Sequence, residues 1–269
     1  MKTVVITGSA RGFGYEMIKL FKHNNFNTVL CDINEESLNN AKNSLEKEKG
    51  NGKVLAIKAD ITKEEDVIEL INKVVSEVGS IDIWINNAGV NQPDLPIWEV
   101  SKSTIDRLID IDLKGTILCS KLIMPVMIKQ GSGQIFNVEG YGSNDATSVG
   151  LSIYGTTKRA VTYFTEALGC EAEKLCTNVL IGKITPGIMI TNFITTSLGD
   201  GAKIELPEKT KKVYNILGDN PETIANYIVP RIIKNKKNNA KIVWLTGRKA
   251  FVRFMTAGFN KRDFFKKED

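Results

Sequence analysis

Short β-branched runs alternating with helix-compatible stretches restrict this chain more than any other feature. Val4-Val5-Ile6, Asn27 to Cys31, Val54 to Ile57, Ile81 to Ile85, Gln134 to Val138 and Thr177 to Ile184 read as six strands. Helical patterns fall between them: Tyr15 to His23, Asn34 to Lys49, a run to about Val78 behind the capping-box pattern at Thr62, Ser101 to about Gln130, and Ile153 to Leu175. Pro125 should kink or divide the long fourth helix. Strands that alternate with helices run parallel, with helices on both faces and ligands at the strand carboxyl ends. The expectation is α/β: one doubly wound parallel sheet in a single domain, 1–269. The chain contains no linker, internal repeat or low-complexity block.

The first strand runs into Thr7-Gly8-Ser9-Ala10-Arg11-Gly12-Phe13-Gly14 and then a helix. Glycines at such a turn let backbone N–H groups approach a pyrophosphate, and the helix N-terminus favours the anion. We therefore assign Gly8, Ser9, Arg11, Gly12, Phe13 and Gly14 to a dinucleotide, and the fold to the Rossmann type. The alternative is a tight structural turn. Asp32 closes the second strand, about twenty residues on, where a carboxylate accepts hydrogen bonds from a ribose diol and repels a 2′-phosphate. Arg11 pulls the other way. Asp32 outweighs it, so NAD is favoured over NADP; a helix N-cap is the competing reading for Asp32. Asn86-Asn87-Ala88-Gly89 after the fourth strand suits close contact with a flat ring or ribose, or else a plain Asx-turn.

Tyr154 and Lys158 stand four apart at the start of the fifth helix, on one face. A free phenol, with a pKa of about 10, is a poor base at neutral pH. A neighbouring cation favours the phenolate and brings the group toward working pH. The pair is therefore a candidate proton-transfer site.

Composition excludes several classes. The net charge of +5 is modest, and its lysines are spread among acids, so nucleic acid is not expected. One histidine, His23, and four scattered cysteines, Cys31, Cys119, Cys170 and Cys176, leave no metal site and no serine–histidine triad. The cysteines read as reduced and buried, and the compartment as cytosolic. No leader or membrane-spanning run is recognisable.

Taken together, Gly8, Gly12, Gly14, Asp60, Asn87-Ala88-Gly89, Tyr154 with Lys158, and Pro186-Gly187 followed by Thr191 resemble the short-chain dehydrogenase/reductase family over roughly residues 3 to 190. The resemblance implies an NAD(P)-dependent alcohol dehydrogenase or ketone reductase with Tyr154 as acid/base. It implies that Lys158 binds the nicotinamide ribose and lowers the tyrosine pKa. Asp32 would hold the adenine ribose, Asp60 and Ile61 would lie by adenine, and Ile188 and Thr191 by the carboxamide. Two positions depart from the family: Gly140 stands where a serine is usual, and Asp112 where an asparagine is. Ser143 could reach inward to replace the serine, or merely cap its turn. Asp112 could hold a relay water, or form a structural hydrogen bond. Ile135 to Ser143 and Tyr154 to Arg159, with Trp244 to Ala250, look like the chlorophyll b reductase branch, which also places an acid and a glycine there.

The variable segment, Ile190 to Pro221, carries Phe193, Ile194, Leu198, Ile204, Leu206, Val213, Tyr214, Ile216 and Leu217. It reads as a lid with an apolar inner face, or as a core or subunit contact. A lid of this kind points to a bulky apolar ring substrate bearing a hydroxyl, ketone or formyl group, steroid-like or bile-acid-like for preference. Chlorophyll b reductase-like formyl reduction and a non-catalytic NAD-binding regulator are the alternatives. A homodimer or homotetramer is expected. The C-terminal extension, about 245–269, mixes aromatic and basic residues. It suits an anionic membrane surface, a partner subunit or closure of the pocket.

Overall fold

The computed structural model describes residues 1–190, 206–260 and 262–265. Seven parallel strands form one sheet: β1 (Thr3–Thr7), β2 (Asn27–Asp32), β3 (Val54–Lys58), β4 (Ile83–Asn86), β5 (Gly133–Val138), β6 (Val179–Thr185) and β7 (Ala240–Val243). Their spatial order is β3-β2-β1-β4-β5-β6-β7. The order reverses between β1 and β4, which lie side by side, so the loops after these two strands flank the crevice where open α/β sheets bind ligands.

Alternation along each strand feeds two apolar layers. Val4, Ile6, Leu30, Ile83, Ile85 and Phe136 pack toward α1 (Gly12–His23), α2 (Glu35–Leu45) and α8 (Pro221–Ile233). Val5, Val29, Trp84, Ile135 and Ile181 pack toward α3 (Glu64–Val78), α5 (Thr116–Gln130) and α6 (Ser152–Lys174). This period-two division is why the strand sequences carry apolar residues at nearly every position.

Several expectations need correction. β7 was not read as a strand, because Ala240 to Val243 is only four residues long and follows a lysine-rich turn. The long fourth helix is α4 (Lys102–Leu108), a π-helical stretch over Ile109–Gly115, and α5. The change of register falls at that stretch and not at Pro125, through which α5 continues. Thr62 does not cap α3: its hydroxyl bonds Asp60 at 2.7 Å, and Lys63 takes the N-cap position without a side-chain bond. Asn34, rather than Asp32, caps α2, accepting from the Ser37 N–H at 2.8 Å. All four cysteines are free, but Cys170 and Cys176 are exposed. Among the described residues the other α-helices are α7 (Glu208–Leu217) and α9 (Gly247–Thr256).

Candidate active site

The turn after β1 is built for close approach. Gly8 and Gly12 have φ of +62° and +61°, which only glycine adopts without strain. A Cβ on Gly8 would come within 2.7 Å of the Ala88 backbone, so this glycine lets the β1 and β4 loops touch. A Cβ on Gly12 would meet nothing within 4 Å: its backbone faces open space at the N-terminus of α1. That cradle fits a pyrophosphate. Thr7 stitches the two loops, its Oγ1 accepting from the Asn87 and Ala88 N–H groups at 3.0 and 3.1 Å. Asn87 donates from Nδ2 to the carbonyls of Thr7 and Gly8, both at 3.0 Å.

Other residues assigned to the cofactor divide between framework and edge. Ser9 is buried, donates to the Ile6 carbonyl at 2.7 Å and accepts from the Cys31 N–H at 3.1 Å, so its side chain is committed to the fold. Phe13 is likewise part of the core. Arg11 is exposed. Asp32 sits at the end of β2 beside the glycine turn, accepting from Ala10 N–H at 3.3 Å and Asn34 N–H at 3.1 Å. Asp60 folds its own turn by accepting from the Thr62 N–H and hydroxyl, while Ile61 packs where a Cβ on Gly115 would be. Pro186 is buried, and Gly187 has φ +75° with Leu245 where its Cβ would be. Ile188 accepts from the Asp219 N–H. Thr191 lies outside the described residues, as do Phe193, Ile194, Leu198 and Ile204 of the expected lid.

At the centre, α6 presents Tyr154 and Lys158 on one face, both buried. Lys158 Nζ lies 5.5 Å from the centroid of the Tyr154 ring and 3.3 Å from Asp112 Oδ2. Asp112 is fully buried on the π-helical stretch, and its Oδ1 accepts from the Val90 N–H at 2.8 Å. Gly89 opens this corner: a Cβ there would crowd Asp112 Oδ1 at 3.3 Å and Lys158 Nζ at 3.4 Å. π-helical turns of this kind are common at functional sites.

Electrostatics differ from the sequence expectation in one respect. Burial pushes the Tyr154 hydroxyl above the ordinary phenol value; Lys158 pulls it down, and Asp112 and Tyr214 push it up again, leaving it raised. Lysine alone was expected to lower it. Lys158 does pull in that direction, but the loss of solvent around the buried hydroxyl outweighs it, and the negative charge of Asp112 adds to the rise. Burial works against the charge on Lys158, but Asp112 and then Tyr154 overcome it and hold its pKa above the usual value. Burial likewise raises Asp112, against the pull of Lys158 and the Val90 N–H.

Gly140 has a steric reason. A Cβ there would overlap the Tyr154 hydroxyl and approach Lys158 Cγ at 3.0 Å. A serine in the family's usual place does not fit this arrangement. Ser143 does not fill the gap: its Oγ accepts from the Gly140 N–H at 3.2 Å and donates to the Lys158 carbonyl at 3.4 Å, capping the turn. Glu139 turns away from Tyr154, accepting from Thr162 at 2.9 Å and lying 3.4 Å from Lys241.

Gln92 was missed. It is 1% exposed, and its Oε1 accepts from the N–H groups of Ile153 and Tyr154 at 2.9 and 3.0 Å, capping the start of α6 from the β4 loop. Among the described residues its Nε2 finds no acceptor. Nothing local in the sequence signals this role; a polar residue in a proline-bounded loop looks solvated.

The family described as short chain dehydrogenase matches residues 2–200. Over 280 residues, 98% of this chain, the sequence is 32% identical to the probable chlorophyll(ide) b reductase NYC1, chloroplastic, of Arabidopsis thaliana. The chain spans 54% of that relative's length, about half. Over 260 residues it is 32% identical to chlorophyll(ide) b reductase NOL, chloroplastic, of the same plant, covering 94% of this chain and 72% of the relative. Among solved structures, 3-ketoacyl-(acyl-carrier-protein) reductase from Brucella melitensis, complexed with NADH, superposes with a TM-score of 0.79 at 23% identity, over 92% of this chain and 98% of that one. The relatives named chloroplastic overturn the cytosolic placement. Reduced cysteines suit any reducing compartment, so they could not discriminate. None of these relatives is named for a steroid substrate. Order, spacing, sheet topology and sequence match agree, and the chain belongs to the short-chain dehydrogenase family.

Proposed function

We propose that this protein reduces a carbonyl group on a bulky, mostly apolar ring substrate with a hydride from NADH or NADPH. The observation that carries the proposal is a buried Tyr154 whose hydroxyl is raised above its ordinary pKa beside a Lys158–Asp112 ion pair. Such a phenol is a proton donor throughout the neutral range, and carbonyl reduction needs a donor. The names of the plant relatives favour a formyl group on a tetrapyrrole-type macrocycle over the steroid-like substrate.

The residues fit a dinucleotide, with pyrophosphate at Gly8, Gly12 and Gly14, adenine ribose at Asp32, and nicotinamide ribose at Lys158 beside Gly89. The single carboxylate at the end of β2 supports NAD as the preferred form. When bound, the dinucleotide supplies the hydride. Tyr154 gives its hydroxyl proton to the carbonyl oxygen as the carbonyl carbon gains hydride, so C=O becomes CH–OH. Lys158 then steadies the phenolate, and Asp112 holds Lys158 in place and charged. Gly140 gives the phenol room at the point of transfer.

The test is turnover of formyl-bearing tetrapyrroles and ring ketones with NADH and with NADPH, reading the alcohol product. Tyr154→Phe should lower turnover at least about a hundredfold, the usual contribution of a positioned acid, with dinucleotide affinity unchanged. Full activity in that variant would reject the role.

A further inference from the structure

The C-terminal helix α9 is mounted with its polar side inward. Thr246 caps it, accepting from the Lys249 N–H at 3.2 Å. Lys249 lies over the Trp244 ring. Arg253 makes a two-pronged contact with Asp219, at 2.7 and 3.1 Å, and also donates to the Leu217 carbonyl. Arg262 reaches the same carboxylate at 3.0 Å, and the Trp244 indole N–H donates to it at 2.7 Å. One buried aspartate thus holds the whole segment against the body.

What remains outward is apolar. Phe251, Val252, Phe254, Met255 and, just beyond the helix, Phe259 are between 50% and 96% exposed. Arg248 lies exposed among them. An ordinary surface helix buries its apolar stripe and wets its charges; this one turns Lys249 and Arg253 inward and leaves five large apolar side chains at the surface, an arrangement that marks an interaction face.

Charge decides which partner. Residues 245–269 carry seven Lys and Arg against three Asp and Glu. Two arginines already share Asp219, and Lys249 is lowered to about 8, by burial first and then by Arg253, with Arg262 adding to it. A second copy in a two-fold contact would set this net positive segment against its own image. An anionic lipid surface offers the opposite sign beneath an apolar layer.

We infer that α9 is a peripheral docking element that lays Phe251, Val252, Phe254, Met255 and Phe259 into the surface of an anionic bilayer. Among the described residues no helix is long and apolar enough to cross a membrane; the contact is a surface one. α9 packs on α7, whose Tyr214 lies within electrostatic reach of Tyr154. A single helix therefore separates the docking face from the candidate site. The inference does not depend on the proposed reaction.

The experiment is flotation of the full chain with vesicles of phosphatidylcholine alone or with about a third phosphatidylglycerol. The wild type should float with the anionic vesicles and release at high salt. Phe251→Ser combined with Met255→Ser should weaken partition at least about tenfold, from the loss of two large apolar contacts. Both positions face outward, so dinucleotide binding and the far-ultraviolet spectrum should be unchanged. Wild-type protein that stays in the soluble fraction with both vesicles would overturn the inference. So would equal flotation with uncharged vesicles, or a double variant whose only change is dissociation of an oligomer.

Discussion

Tyr154 and Lys158 could be picked out from a spacing of four, because the helix itself sets that geometry. Their environment could not. Burial outweighs the pull of Lys158 and leaves the tyrosine shift upward, and Asp112, far away in sequence and marked only by its departure from the family's asparagine, adds to that rise while pairing with Lys158. Gly140 looked like a lost serine, yet it is a steric requirement. Gly140→Ser should therefore impair the protein: overpacking of this kind costs about 1–3 kcal/mol. Melting should fall accordingly, and kcat/KM should drop at least about tenfold as the phenol is displaced. Higher activity in that variant would mean that the loop rearranges freely. Asp32 is a second single-residue test. Asp32→Ala should weaken NADH about tenfold while NADPH is less affected, since the carboxylate that binds one ribose repels the other's phosphate. Dinucleotide titrations with both forms check it, and an unchanged preference would reassign Asp32 to the turn.

At the scale of elements, strands and helices were legible wherever periodicity ran for several residues. β7 was too short, and the π-helical stretch has no residue signature separate from the helix on either side. Pro125 does not divide the helix, since α5 continues through it to Gln130. The least legible element property is the start of α6. Its first N–H groups are satisfied by Gln92 from a loop some sixty residues earlier, a contact that exists only once β4 and β5 lie side by side. Gln92→Leu leaves those N–H groups without an acceptor and should cost about 1–2 kcal/mol. Gln92→Glu keeps an acceptor and adds a negative charge at a helix N-terminus, so it should retain stability. Thermal melts of the two variants separate the readings; equal losses would show that Gln92 acts through packing alone.

Across the whole molecule, the alternating strands and helices were enough to place every singled-out loop on one sheet edge, and the parallel register bears that out. Composition was a poor guide to surroundings: scattered cysteines did not reveal the compartment, and the basic, aromatic tail hid an inside-out helix anchored on Asp219. The sheet brings residues 112, 140, 154 and 158 to one buried point, and the proposed chemistry rests on Tyr154 being protonated there. The most direct test is the pH dependence of single-turnover reduction by wild type and Asp112→Asn. In the wild type the rate should stay level through neutrality and fall only above the ordinary phenol value of about 10, because burial raises the hydroxyl. In Asp112→Asn the fall should begin at lower pH, because a neighbouring negative charge has gone. A wild-type rate that declines as pH rises through neutrality, or a fall in Asp112→Asn at the same or higher pH, would contradict the account.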